Sequence, residues 1–163
     1  MMASGGSIFQ YFKSNVCFKK LKYRLLFIDE DLNFETLNVP FVCVVNTKSR
    51  YDHTSEQFAH WVCLYYDGNV EKNIIFFDSL GMPPPDKLLR DMYNSRVFNS
   101  FTYGNFPIQS KFTDLCGLYI VMFTYLLFCE KFSIVQFLDL FSRNTIENDI
   151  RIFDIYNRTF GDS

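Results

Sequence analysis

Histidine is scarce in this 163-residue chain: there are two, His53 and His60. Any chemistry that needs an imidazole base near neutral pH must use one of them. Cysteine is also sparse. The five Cys are widely spaced and contain no C-x-x-C pair, which excludes a zinc-finger signature and argues for a reduced compartment over a disulfide framework. Net charge is small, −2, so no general polyanion-binding surface is expected. Long apolar runs are missing. The longest, 115–129, falls short of the ~20 residues that a membrane helix needs. The opening MMASGGSIFQYF has no basic stretch ahead of an apolar core, so no signal peptide is expected. These absences lead to the expectation of a soluble, intracellular protein with no cofactor and no metal.

Aromatic residues, by contrast, are plentiful: 20 Phe and 10 Tyr, within a hydrophobic content of 48%. That composition excludes disorder, and the length suits one domain, 1–163, with a substantial core. Residues 1–10 read as small, polar and flexible. Segment 16–28 mixes apolar residues with Lys19, Lys20, Lys22 and Arg24, which suits a solvated face beside a core stripe; a polyanion contact is the other reading. FVCVVN, 41–46, reads as a buried strand and 47–58 as a polar surface loop. AHWVCLYY, 59–66, and NIIFFD, 73–78, flank the turn residues Asp67, Gly68 and Asn69, and so predict an antiparallel hairpin. Pro83, Pro84 and Pro85 end the sheet there, and 86–97 predicts a short amphipathic helix. A further strand is expected within 97–103. Beyond it comes a buried helix starting near Cys116, capped by Thr113 or Asp114. Two amphipathic helices should follow. One buries Ile134, Phe137, Leu138 and Phe141. The other, in 147–160, buries Ile150, Phe153 and Ile155 or Tyr156. The fold class is α+β: a mostly antiparallel sheet packed on the buried helix.

Four residues form a candidate site. His60 begins a buried strand, where a histidine is either a hydrogen-bonded core residue or a base. Asp78 ends the neighbouring strand and needs a partner if buried; it also suits a turn. The predicted hairpin sets these two chain ends side by side. Cys116 stands where polar sequence gives way to the apolar helix. Unpaired N–H groups and the helix dipole favour a thiolate there, although Cys43, Cys63 and Cys129 read simply as small buried hydrophobes. Gly117 allows close approach to the backbone. The Cys116 N–H and the Gln109 amide, if Gln109 is more than a loop residue, could hold an oxyanion.

The order His60-Trp61, then Phe77-Asp78-Ser79-Leu80-Gly81, then Gln109 and Cys116-Gly117 resembles the adenovirus-type cysteine endopeptidases (adenain) and, more distantly, the SUMO-processing proteases. The segment Cys43-Val44-Val45-Asn46-Thr47 resembles the strand ahead of their active-site loop. Gln109 lies seven positions before Cys116, the viral-type spacing, and Leu115 stands where SUMO proteases carry Asp. The acid is Asp, as in the SUMO type. The resemblance implies an adenain-like fold and a Cys-His-Asp endopeptidase with a glutamine oxyanion hole. Its substrates would be precursor proteins of a DNA virus or transposon cut near Gly, with Trp61 walling a narrow site; if viral, it would reside in the host nucleus and virion. It also implies an activating peptide or DNA as partners. However, 97–115 contains no Cys through which a peptide could be linked, and the low net charge offers DNA little. A monomer acting on protein substrates is expected. An isopeptidase for ubiquitin-like modifiers, an acetyltransferase, and a non-catalytic capsid or interaction module remain as alternatives.

Overall fold

The computed structural model describes residues 5–33, 39–49 and 60–161. Within them, strands β1 (Lys22–Phe27), β2 (Phe41–Asn46), β3 (Trp61–Tyr66), β4 (Asn73–Phe77) and β5 (Ser100–Tyr103) form one sheet in sequential order. The three central strands are antiparallel, as the hairpin pattern requires; the two outer pairs, β1–β2 and β4–β5, are parallel. Because side chains alternate across a strand, β2 and β3 feed two cores at once. Val42, Val44, Trp61, Cys63 and Tyr65 enter one core, while Cys43, Val45, Val62, Leu64 and Tyr66 enter the other.

The larger core is built on helix α3 (Cys116–Thr124), which is apolar all round and continues as a π-helical segment, Tyr125–Cys129. A helix without a polar face must be enclosed. Enclosure comes from the sheet on one side and from α1 (Gly5–Ser14), α4 (Ile134–Leu138) and α5 (Thr145–Phe160). Phe77 of β4 stacks on Phe123 of α3 at 4.3 Å, and Phe137 of α4 meets both rings edge-on. The smaller core lies under α2 (Asp86–Ser95), through Leu88 and Met92. The sheet is thus covered on both faces.

Four sequence-based expectations change. Residues 1–10 are not all loose: from Gly5 the chain is helical, Ile8 and Phe12, one turn apart, are buried in the larger core, and the Phe12 ring packs on Phe18 and Tyr23. The cysteines are not all thiols. Cys17, in a 3₁₀ turn (Val16–Lys20), and Cys129, at the end of the π segment, form a disulfide with Cα atoms 5.7 Å apart. The two are 112 positions apart, so no local spacing announces the pair. Cys43, Cys63 and Cys116 remain thiols. Neither Thr113 nor Asp114 caps α3; Leu115 holds that place with no side-chain cap, because the Thr113 hydroxyl is engaged elsewhere. Finally, α5 is rotated from its expected register. Ile150 is 68% exposed and Phe153 38%, whereas Asn148, Asp149 and Ile152 are buried; Ile155 and Tyr156 pack half-buried as expected. Hydrogen bonds to the buried polar pair, described below, turn the helix this way.

Candidate active site

Three elements converge at one end of the sheet. His60 directly precedes β3, Asp78 directly follows β4, and Cys116 is the first residue of α3. The hairpin register pairs Cys63 with Phe77, so the His60 and Asp78 ends of the two strands are neighbours. His60 Nε2 lies 2.8 Å from Asp78 Oδ1, and the same imidazole is hydrogen-bonded to the Cys116 side chain. His53 and most of the loop expected over 47–58 lie outside the described residues.

Electrostatics around the imidazole are asymmetric. Burial disfavours its charged form, but hydrogen bonds to Asp78 and Cys116, with their charges, outweigh that penalty and raise the His60 pKa to about 9. Asp78 is 8% exposed and its Oδ1 also accepts the N–H of Leu80 at 2.8 Å, so the carboxylate is fixed by its own turn. Cys116 is 4% exposed and sits at the positive end of α3, with Gly117 buried beside it. Burial pushes the Cys43 thiol up to about 12 and drives that of Cys63 upward too, so neither suits a nucleophile.

Gln109 is not an exposed loop amide. It is 3% exposed; its Oε1 accepts from Ser79 Oγ at 2.5 Å, and its Nε2 donates to the Thr113 carbonyl at 2.9 Å. The Ser79 carbonyl accepts the N–H groups of both Ile108 and Gln109 at 2.9 Å. The turn that carries Asp78 therefore also holds the segment that carries Gln109. Gly81 tightens this contact. It has φ +70°, and a Cβ there would stand 2.6 Å from Pro107 N.

Several residues that support this arrangement carry no clear signal in the sequence. Ser79 lies inside the Asp-Ser-Leu-Gly match, which assigns it no role of its own. Asn148 and Asp149 look like ordinary polar positions of an amphipathic helix, and only their burial reveals them. Trp61, next to His60, is 8% exposed and belongs to the larger core. Among the described residues there is no group of three or more His, Cys, Asp or Glu placed to hold a metal ion, and no helix long and apolar enough to cross a membrane.

A thiol, an imidazole and a carboxylate linked in that order can generate a thiolate–imidazolium pair, and a buried amide nearby can donate to an anionic oxygen. No protein-family model matches the chain, and no curated protein matches its sequence. Solved structures do match. A structure of the selenomethionine-labelled ASFV pS273R protease aligns over 93% of this chain and 66% of its own, with a TM-score of 0.65 and 17% identity. A second structure of ASFV pS273R protease aligns over 86% of this chain and 62% of its own, with a TM-score of 0.53 and 18% identity. This chain thus spans less than two thirds of those chains. The superposition establishes a shared α+β fold, and at this identity it shows the fold alone.

Proposed function

We propose that this protein is a cysteine endopeptidase that processes precursor polypeptides. The observation that carries the reading is the His60 imidazole, bound at 2.8 Å to Asp78 on one side and to Cys116 at the head of α3 on the other. The fold shared with ASFV pS273R protease supports it.

In this reading His60 takes the Cys116 proton and Asp78 holds the ring in the right tautomer. The thiolate adds to the scissile carbonyl carbon. The carbonyl oxygen becomes an oxyanion, which accepts hydrogen bonds from the Cys116 N–H and the second Nε2 hydrogen of Gln109. The imidazolium then gives its proton to the leaving amine and the peptide C–N bond breaks. Water, deprotonated by His60, hydrolyses the resulting thioester and regenerates the thiol.

The test is incubation of the purified protein with a proteome-derived peptide library, beside Cys116→Ala. Cleavage at defined bonds by the wild type alone, with both proteins showing the same unfolding midpoint, is the expected result. Turnover retained by Cys116→Ala would sink the assignment. Labelling of Cys116 by a ubiquitin-like vinyl sulfone, without peptide cleavage, would move the reading to an isopeptidase.

A further inference from the structure

We propose that Asp149, on α5, is a positioning residue that registers the Gln109 segment against the helix carrying Cys116; this inference rests on the endopeptidase reading above.

The geometry runs through one buried carboxylate. Asp149 is 6% exposed, and three neutral donors from two different elements converge on it. Thr113 Oγ1 donates to Oδ2 at 2.9 Å and the Ser110 N–H to Oδ1 at 3.4 Å; both belong to the segment that follows Gln109. The third donor, Tyr119 OH, reaches Oδ1 at 2.8 Å from α3, less than one turn beyond Cys116. Burial first, then the hydrogen bond and charge of Asp149, push the Tyr119 pKa far up, so this hydroxyl stays a donor.

A buried carboxylate is costly unless its acceptor sites are filled, so its donors are held in place as firmly as it is. Here the donors are the two parts whose relative position an oxyanion hole needs fixed. Thr113 passes the constraint to the amide, because its carbonyl accepts Gln109 Nε2 at 2.9 Å. The neighbouring Asn148 adds a second tie: its Nδ2 donates at 3.0 Å to the carbonyl of Ile108, which Tyr119 OH also approaches at 3.3 Å. Asp149 touches neither Cys116 nor His60 in this network. On this proposal its effect falls on the steps that build an oxyanion.

That specificity separates positioning from general support. Alkylation of Cys116 by iodoacetamide forms no oxyanion, whereas peptide hydrolysis does. Asp149→Asn should lower kcat by about tenfold or more with little change in KM, a share of the ~10²–10³-fold carried by an oxyanion donor. The alkylation rate of Cys116 and its pH profile should stay at wild-type values. In a Gln109→Ala background the same substitution should have little further effect, because the residue acts through that amide. Thr113→Val and Tyr119→Phe, each removing one donor, should reproduce part of the loss and serve if Asp149→Asn does not fold. Undiminished hydrolysis in all three variants overturns the inference and leaves the endopeptidase reading standing. Equal loss of hydrolysis and alkylation in folded variants also overturns it, by showing a structural role only. Failure of the wild type to cleave any peptide instead overturns the endopeptidase reading, and this inference with it.

Discussion

The hydroxyl of Ser79 donates to Gln109 Oε1 over 2.5 Å, while the Ser79 carbonyl accepts the Gln109 N–H at 2.9 Å. An amide whose oxygen is tied in this way can turn only its nitrogen toward a substrate. Ser79 is 1% exposed, so water cannot replace its hydroxyl readily. Ser79→Ala should therefore leave Gln109 Oε1 unsatisfied and lower stability by about 1–3 kcal/mol. It should also reduce kcat by about tenfold with KM nearly unchanged, as expected when only transition-state contacts suffer. Steady-state kinetics on a peptide cleaved by the wild type would check this; an unchanged kcat would detach Ser79 from the amide.

The pH dependence follows from His60. Its folded pKa, about 9, lies above the ordinary value of 6.5. A raised histidine pKa stabilises the fold fully below pH 6.5, and that contribution is lost as the pH rises through 9. The wild type's resistance to urea should thus weaken as the pH rises across this window. Asp78→Asn removes the negative charge 2.8 Å from the imidazole and should flatten the dependence. Identical pH slopes for the two proteins would show that the His60–Asp78 bond does not hold the proton.

How much of this was legible beforehand depends on the range of the interactions. The hairpin that joins His60 to Asp78 was readable because alternation and a turn are local signals. The helix at Cys116 was readable because a polar-to-apolar boundary is local too. The parallel pairing of β1 with β2 and of β4 with β5 was not, since parallel partners meet through long connections that carry no register signal. The Cys17–Cys129 pair is illegible for the same reason. The rotation of α5 is illegible on other grounds. Its sequence offers two plausible inward stripes, and hydrophobicity favours the one with Ile150 and Phe153. Burying Asn148 and Asp149 is favoured only because their partners Ile108, Ser110, Thr113 and Tyr119 lie on distant parts of the chain. Gln109 is legible as an amide in the turn ahead of Cys116, and its spacing from Cys116 carries part of the resemblance, but its burial cannot be read from its polar neighbours.

Gly81 makes a sharper test of the joint between the Asp78 turn and the Gln109 segment. At φ +70° any other residue is strained, by about 1–2 kcal/mol for the left-handed conformation. A Cβ would also meet Pro107 N at 2.6 Å and the Phe106 carbonyl carbon at 2.7 Å, both backbone atoms that cannot swing away. Gly81→Ala should cost about 2 kcal/mol or more in chemical denaturation and lower activity in the fraction that folds. Full stability and activity would show that the two segments are not held in contact.

The Cys17–Cys129 bond closes most of the chain into one loop, with a sequence separation of 112. It ties the 3₁₀ turn after α1 to the far end of the helix that starts at Cys116. Reduction should lower stability by roughly 2–5 kcal/mol, mainly through a freer unfolded chain. Calorimetry with and without dithiothreitol would measure the drop. Cys17→Ser should start from the lower midpoint and no longer respond to the reductant. A wild-type midpoint indifferent to reduction would argue against the bond in solution.

The register of α5 decides whether Asp149 faces the Gln109 segment at all, and two isoleucines on that helix test it directly. Ile152 is fully buried, and Ile152→Ala should cost about 2–5 kcal/mol through lost transfer energy and a residual cavity. Ile150 is 68% exposed, and Ile150→Gln should change stability by no more than about 0.5 kcal/mol. The inward stripe suggested by hydrophobicity alone predicts the reverse order. If Ile150→Gln proves the costlier change, the helix is turned the other way. Asp149 would then point away from Thr113 and Tyr119, and its role in placing Gln109 would fall with it.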